Sequence, residues 1–175
     1  MNPHSLDNQG SLVIGIDPGT ASTGFGLIRQ QPSGQLDVVD FGVVSTKAGQ
    51  AMSARLADLY ASLVQIIEKH QPDSGAVEKL FFQRNVSTAM SVGQAKGVAM
   101  LALAQADISI EEYSPNEIKL AVSGYGGADK RQMQEMVKTI LKMNTPPRPD
   151  DAADALAVAI CHCHSRKMRS LGEQQ

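Results

Sequence analysis

A chain of 175 residues, 42% of them hydrophobic, can bury one good core and is short for two, so a single domain is expected. Its formal net charge of −2, from 16 lysines and arginines against 18 aspartates and glutamates, argues against indiscriminate nucleic-acid binding. The opening MNPHSLDNQG has neither a basic start nor an apolar run, and no segment approaches the roughly 18 apolar residues of a membrane span. A soluble, cytoplasmic protein without membrane contact is therefore expected.

Charge is unevenly placed along the chain. Residues 1–78 carry four basic and eight acidic side chains, residues 79–148 nine and six, and residues 149–165 three aspartates without a base. A basic surface beside concentrated carboxylates fits a polyanion whose phosphate is held by metal. The two cysteines, Cys161 and Cys163, sit in the run CHCHS at the end of a predicted helix. Two positions apart on a helix point in nearly opposite directions, so the pair neither bridges nor chelates one metal, and a zinc site is not expected there.

Taken in order, LVIGIDPGT (12–20) reads as a buried strand that ends in a turn. Alternation puts Leu12, Ile14 and Ile16 on one face and Val13, Gly15 and Asp17 on the other. A carboxylate at the end of so apolar a strand needs a partner, a hydrogen bond or a metal, although Asp17 could simply cap the turn. Residues 24–29 and 36–44 read as two more strands, giving an antiparallel meander. Leu56, Leu59, Leu63, Ile66 and Ile67 recur at helical spacing between Met52 and His70, with Pro72 beyond.

Ser74 to Leu80 reads as a fourth strand, apolar except for Glu78. Phe81 and Phe82 follow and cannot both face the core, so one exposed aromatic is expected near Glu78, where it can stack on or wedge between bases. Residues 85–106 form a long helical pattern rich in small residues. Gly93 and Gly97 lie on one face, which permits close approach of two backbones. Residues 108–113 read as a fifth strand, and Ser114, Pro115 and Glu117 are a helix start with a capping box. The glycine-rich loop 123–128, flanked by Lys119 and Lys130, is a phosphate-contact candidate leading into a helix capped by Asp129. Asn144 to Pro149 ends that helix, and the last helix opens with DDAADAL. Asp151 and Asp154 are about 60° apart around that helix, and Asp150 and Asp154 are nearly as well aligned, so spacing alone leaves the pair open.

Four carboxylates gathered in one place stay ionised only with cations between them. Hard oxygen donors select Mg2+ or Mn2+, and two such ions about 3.5–4 Å apart support in-line attack on a phosphodiester. The segments IGIDPGTASTGFG, AVEKLFF with RN after it, GQAKGVA and DDAADALAVAICHCH together resemble the RuvC family of Holliday-junction resolvases, in order, from about Leu12 to His164. The resemblance implies an α/β, RNase H-like fold with a five-stranded mixed sheet flanked by helices. It also implies a homodimer that nicks a four-way DNA junction symmetrically, and work alongside branch-migration proteins. By that likeness Asp17, Glu78, Asp151 and Asp154 are the catalytic metal ligands for two ions per site. Phe81 matches the junction-opening aromatic, Lys119 and Lys130 match DNA-contacting lysines, and Lys79 and Arg84 are further phosphate contacts. The expected boundaries are a flexible extension over 1–10, the nuclease domain over 11–165 and a flexible tail over 166–175. The GIDPGT turn also resembles the phosphate loop of sugar-kinase and actin ATPases, which need two such lobes, whereas this chain holds one.

Overall fold

The computed structural model describes residues 10–79 and 86–172. Three strands, β1 (Ser11–Asp17), β2 (Ser22–Gln30) and β3 (Leu36–Ser45), form the antiparallel meander that the turns at residues 18–21 and 31–35 dictate. Helix α1 (Met52–His70) ends at Gln71, whose backbone is left-handed, and then returns the chain to β4 (Ser74–Glu78). That crossover makes β4 parallel to β1, and α2 (Val86–Gln105) makes β5 (Ser109–Tyr113) parallel to β4. The resulting mixed sheet has the order β3-β2-β1-β4-β5.

Alternation in β1 sorts the core into two halves, as the sequence predicts. Leu12, Ile14 and Ile16 face α1 and α2, packing with Leu27, Leu59, Leu63, Ile67 and Leu103. Val13 faces the other way, into a cluster with Ile28, Ala76, Leu156 and Ile160. That second face belongs to α5 (Asp150–Gly172), which lies on β1 and β2 and is covered in turn by α3 (Pro115–Ser123) and α4 (Lys130–Ile140).

Three glycines let α5 lie directly on the sheet. A Cβ on Gly15 would stand 2.6 Å from the Ala159 nitrogen, one on Gly26 would stand 2.9 Å from the Leu156 nitrogen, and one on Gly24 would run into the Asp151 carbonyl. No side chain fits between strand and helix at those positions.

The CHCH run is not a helix end. Cys161, His162 and Cys163 sit in the middle of α5 and are enclosed by sheet and helices, with both thiols free. Burial pushes the Cys161 thiol up to about 11 and the Cys163 thiol up to about 12, so both are inert at neutral pH. His162 shares hydrogen bonds with the Tyr113 hydroxyl at 3.0 Å and Ser74 Oγ at 3.1 Å. One turn on, Arg166 donates to Ser74 Oγ at 2.9 Å and Ser11 Oγ at 3.1 Å. Helix α5 runs on past residue 165, where a flexible tail is expected to begin, to Gly172. Among the described residues no helix is long and apolar enough to cross a membrane.

Candidate active site

Asp17 ends β1 and Glu78 ends β4. The two strands run side by side in parallel, with Ile16 opposite Val77, so both carboxylates emerge at the same edge of the sheet. Ligand sites of open α/β sheets lie outside that carboxyl edge. The first turns of α5 reach the same place because the glycine surface beneath holds the helix down. Carboxylate oxygens of Asp17, Asp151 and Asp154 all lie within 4.8 Å of one another.

The electrostatics record how crowded the group is. Burial, then the charges of Glu78, Asp154 and Asp151, push the Asp17 carboxyl up to about 8. Glu78 is also raised, by burial and then by Asp154, although its hydrogen bond to Asp17 opposes the shift. Burial raises Asp154 against the pull of Lys130. Carboxylates this close repel unless a proton or a cation sits between them. The donor set is all oxygen, half-buried and short of positive charge, which suits a hard divalent cation.

Asp150 stands outside this group. Its Oδ2 accepts from Lys130 Nζ at 3.2 Å, and its Oδ1 accepts from Gln134 at 3.0 Å and from Arg148. These partners, Lys130 first and then Gln134, hold its carboxyl below the usual range. Geometry thus separates what spacing left open: Asp151 joins Asp17 and Asp154, while Asp150 ties α4 to the start of α5. Gln134 is buried, and nothing in the sequence marks it, because its partner lies on another helix.

Asp17, Glu78 and Asp154 line a cavity of about 310 Å3. Its other wall is Pro115, Ile118 and Lys119 of α3 with Ala128 and Lys130 at the start of α4. Lys130 Nζ also lies 3.4 Å from Asp154 Oδ2. Burial alone would lower the Lys130 amine, but the hydrogen bond to Asp150 and the charge of Asp154 outweigh it and hold it above the ordinary lysine value. Both starts are well fixed: Ser114 and Asp129 cap α3 and α4, each with a reciprocal bond from Glu117 or Gln132. Lys79 follows Glu78 with an exposed side chain, and its backbone nitrogen donates to the Tyr113 carbonyl at 2.7 Å. Phe81 and Arg84 lie outside the described residues.

Comparison with known proteins turns on this arrangement. The family model for crossover junction endodeoxyribonuclease RuvC matches residues 13–162, a span that holds all four carboxylates. The chain belongs to the RuvC family. A RuvC crossover junction endodeoxyribonuclease of Chloroflexus aggregans is 59% identical over 153 residues, covering 87% of this chain and 93% of that protein. The RuvC of Thermus thermophilus, solved in complex with a Holliday junction substrate, superposes with a TM-score of 0.86. It is 32% identical and covers 90% of this chain and 96% of that one. The yeast mitochondrial Holliday junction resolvase Ydc2 shares the fold, with a TM-score of 0.70 at 16% identity over 97% of this chain and 86% of that one. Membership of the RuvC family makes the chain a nuclease of the hydrolase class, built on the RNase H-like α/β fold.

Proposed function

We propose that this protein resolves four-way DNA junctions, cutting two strands at symmetric positions by metal-dependent phosphodiester hydrolysis. What carries the reading is the convergence of Asp17, Asp151 and Asp154 at the carboxyl edge of β1 and β4, in a chain of the RuvC family. Glu78 completes the ligand set from the adjacent strand. Two Mg2+ or Mn2+ ions held there would supply an activated water and stabilise the leaving oxygen.

The chain's own groups do the rest. Lys119 and Lys130 face the carboxylates across the cavity and hold the phosphates flanking the scissile bond. Lys79, next to Glu78, and Arg84 are further phosphate contacts, and Phe81 is the aromatic that opens the junction, as the family resemblance implies. Burial and the neighbouring carboxylates raise both Asp17 and Glu78, so a cation bound there would compete with protons and its affinity would rise with pH.

A junction with two equivalent scissile strands calls for two equivalent sites, which an isologous dimer supplies. Helix α2 offers the surface. Met90 and Leu101 are 63% and 50% exposed, and Gly97 lies between them on the same stripe with open space above it. Gly93 is half-buried one turn before Gly97.

The test is a denaturing-gel assay on a synthetic four-way junction and a linear duplex of the same sequence, with and without Mg2+ or Mn2+. Paired, metal-dependent nicks in the junction alone are expected. Equal cutting of the duplex would replace this reading with a general RNase H-like nuclease. Asp17→Asn is expected to lower the cleavage rate by more than about 100-fold while junction binding survives, because it removes a ligand but not the basic wall.

A further inference from the structure

The glycine-rich loop between α3 and α4 is more ordered than its composition suggests, and it displays one aromatic ring. Gly124 ends α3 in the left-handed conformation, its nitrogen donating to the Leu120 carbonyl at 2.9 Å. Ser123 Oγ donates to the Lys119 carbonyl at 2.7 Å and accepts from the Tyr125 nitrogen at 3.3 Å, which ties the start of the loop to α3. The Tyr125 carbonyl accepts from the Ala128 nitrogen at 3.2 Å, which closes the loop as a turn.

Two glycines give this arrangement its room. A Cβ on Gly127 would stand 2.5 Å from the Tyr125 hydroxyl oxygen and 2.8 Å from a ring carbon, so the ring lies over Gly127 and a side chain there would displace it. A Cβ on Gly126 would collide with Asn116 of α3. The backbone is therefore braced against α3 while the Tyr125 side chain is 65% exposed. Ala128, bonded to Tyr125, lines the carboxylate cavity, as do Lys119 and Lys130 on either side of the loop.

We propose that Tyr125 is a DNA contact of this site, its ring stacking on a nucleobase of the strand that leaves the carboxylate cavity. The lysines hold phosphate, a contact that all sequences share. An exposed ring on the loop between the two lysines, three residues before the cavity-lining Ala128, adds an aromatic platform that an unstacked base beside the junction centre can occupy, and stacking tolerates any base because each has a π-face. Pre-organisation of the backbone matters here, because the loop that carries the ring is already tied to α3 through Ser123 and Gly124 and need not be ordered on binding.

The proposal rests on the junction-cleaving reading above, and its test separates the two. Affinities of the parent protein, Tyr125→Phe, Tyr125→Leu, Gly127→Ala and the Tyr125→Leu/Gly127→Ala pair are measured in EDTA. The DNAs are a four-way junction, a linear duplex and a single strand, with 2-aminopurine placed at successive positions around the junction centre. Tyr125→Leu is expected to weaken junction binding about tenfold and to restore 2-aminopurine fluorescence at one position, whereas Tyr125→Phe retains both. Gly127→Ala is expected to lose as much as Tyr125→Leu, and the pair no more than either alone, since both act through one ring. Unchanged thermal unfolding of Tyr125→Leu excludes a folding defect. Junction affinity of Tyr125→Leu equal to that of the parent would overturn the proposal, as would a loss in Tyr125→Phe as large as in Tyr125→Leu. If the parent shows no preference for the junction, the junction reading fails, and the Tyr125→Leu to parent ratio on the single strand still decides the contact.

Discussion

Asp17 stands in conflict with its own burial, and the conflict is measurable. In the folded, metal-free protein it releases its proton near 8, against 3.8 for a free side chain. Between those values the folded state holds more protons than the unfolded one, so stability falls as pH rises from about 4 to about 8. Asp17→Asn removes that penalty. In EDTA at pH 8 its Tm is expected to exceed that of the parent by at least about 2–4 °C, the shift that one kcal/mol gives in a chain of this length, and the gain is expected to vanish near pH 4. A lower Tm for the variant at pH 8 would show that the carboxylate supports the fold. Mg2+ is expected to raise the parent's Tm and to raise it more at pH 8 than at pH 6, because the proton it displaces is already leaving. Asp17 and Glu78 were legible in the sequence because a carboxylate in an apolar strand is an anomaly wherever it falls. Spacing did not choose between Asp150 and Asp151, and the family resemblance did; the physical reason lies in Lys130 and Gln134, which approach Asp150 from another helix.

Helix α5 and the glycines beneath it set the geometry of the site at the scale of elements. Gly15, Gly24 and Gly26 all face it, but only Gly24 lies under the first turn, against Asp151. Gly15→Ala and Gly24→Ala are each expected to destabilise the protein by about 1–3 kcal/mol, as overpacking does. Gly24→Ala is expected also to lose cleavage beyond its unfolded fraction, because it lifts a metal ligand. Urea unfolding alongside cleavage rates checks this, and equal residual activity per folded molecule in the two variants would count against it. Periodicity of 2 and 3.6 made the strands and helices readable in advance, and turn chemistry placed the caps of α3 and α4. It could not reveal why three glycines recur in β1 and β2, because that reason belongs to the helix crossing them. Nor did it show that Arg166 would reach Ser11 and Ser74, since both are distant in sequence.

At the scale of the whole molecule, α2 carries the exposed stripe proposed as the dimer contact. Met90, Gly97 and Leu101 recur at spacings of seven and four, and in a lone chain Met90 and Leu101 leave apolar surface in water. Leu101→Glu is expected to convert a dimer into monomers on size-exclusion chromatography with light scattering. Nicking of single arms would then persist while paired nicks fall by about tenfold or more, because simultaneous engagement of two sites is lost. A Leu101→Glu dimer with full paired cutting would move the interface elsewhere. The antiparallel half of the sheet was legible from short turns. The parallel half was not, because a crossover helix hides which strand it returns to, and there the family resemblance supplied what local patterning could not.

The placement of α5 after every strand it covers also sets an order of birth. A ribosome delivers Asp17 and Glu78 well before Asp151 and Asp154, and the antiparallel meander can pair from local contacts while the later segments are still being made. Until α5 arrives, the nascent chain carries half a metal site and an uncovered glycine surface. Cutting activity is therefore expected only once synthesis has passed the last helix, and a product truncated before Asp150 is expected not to nick DNA.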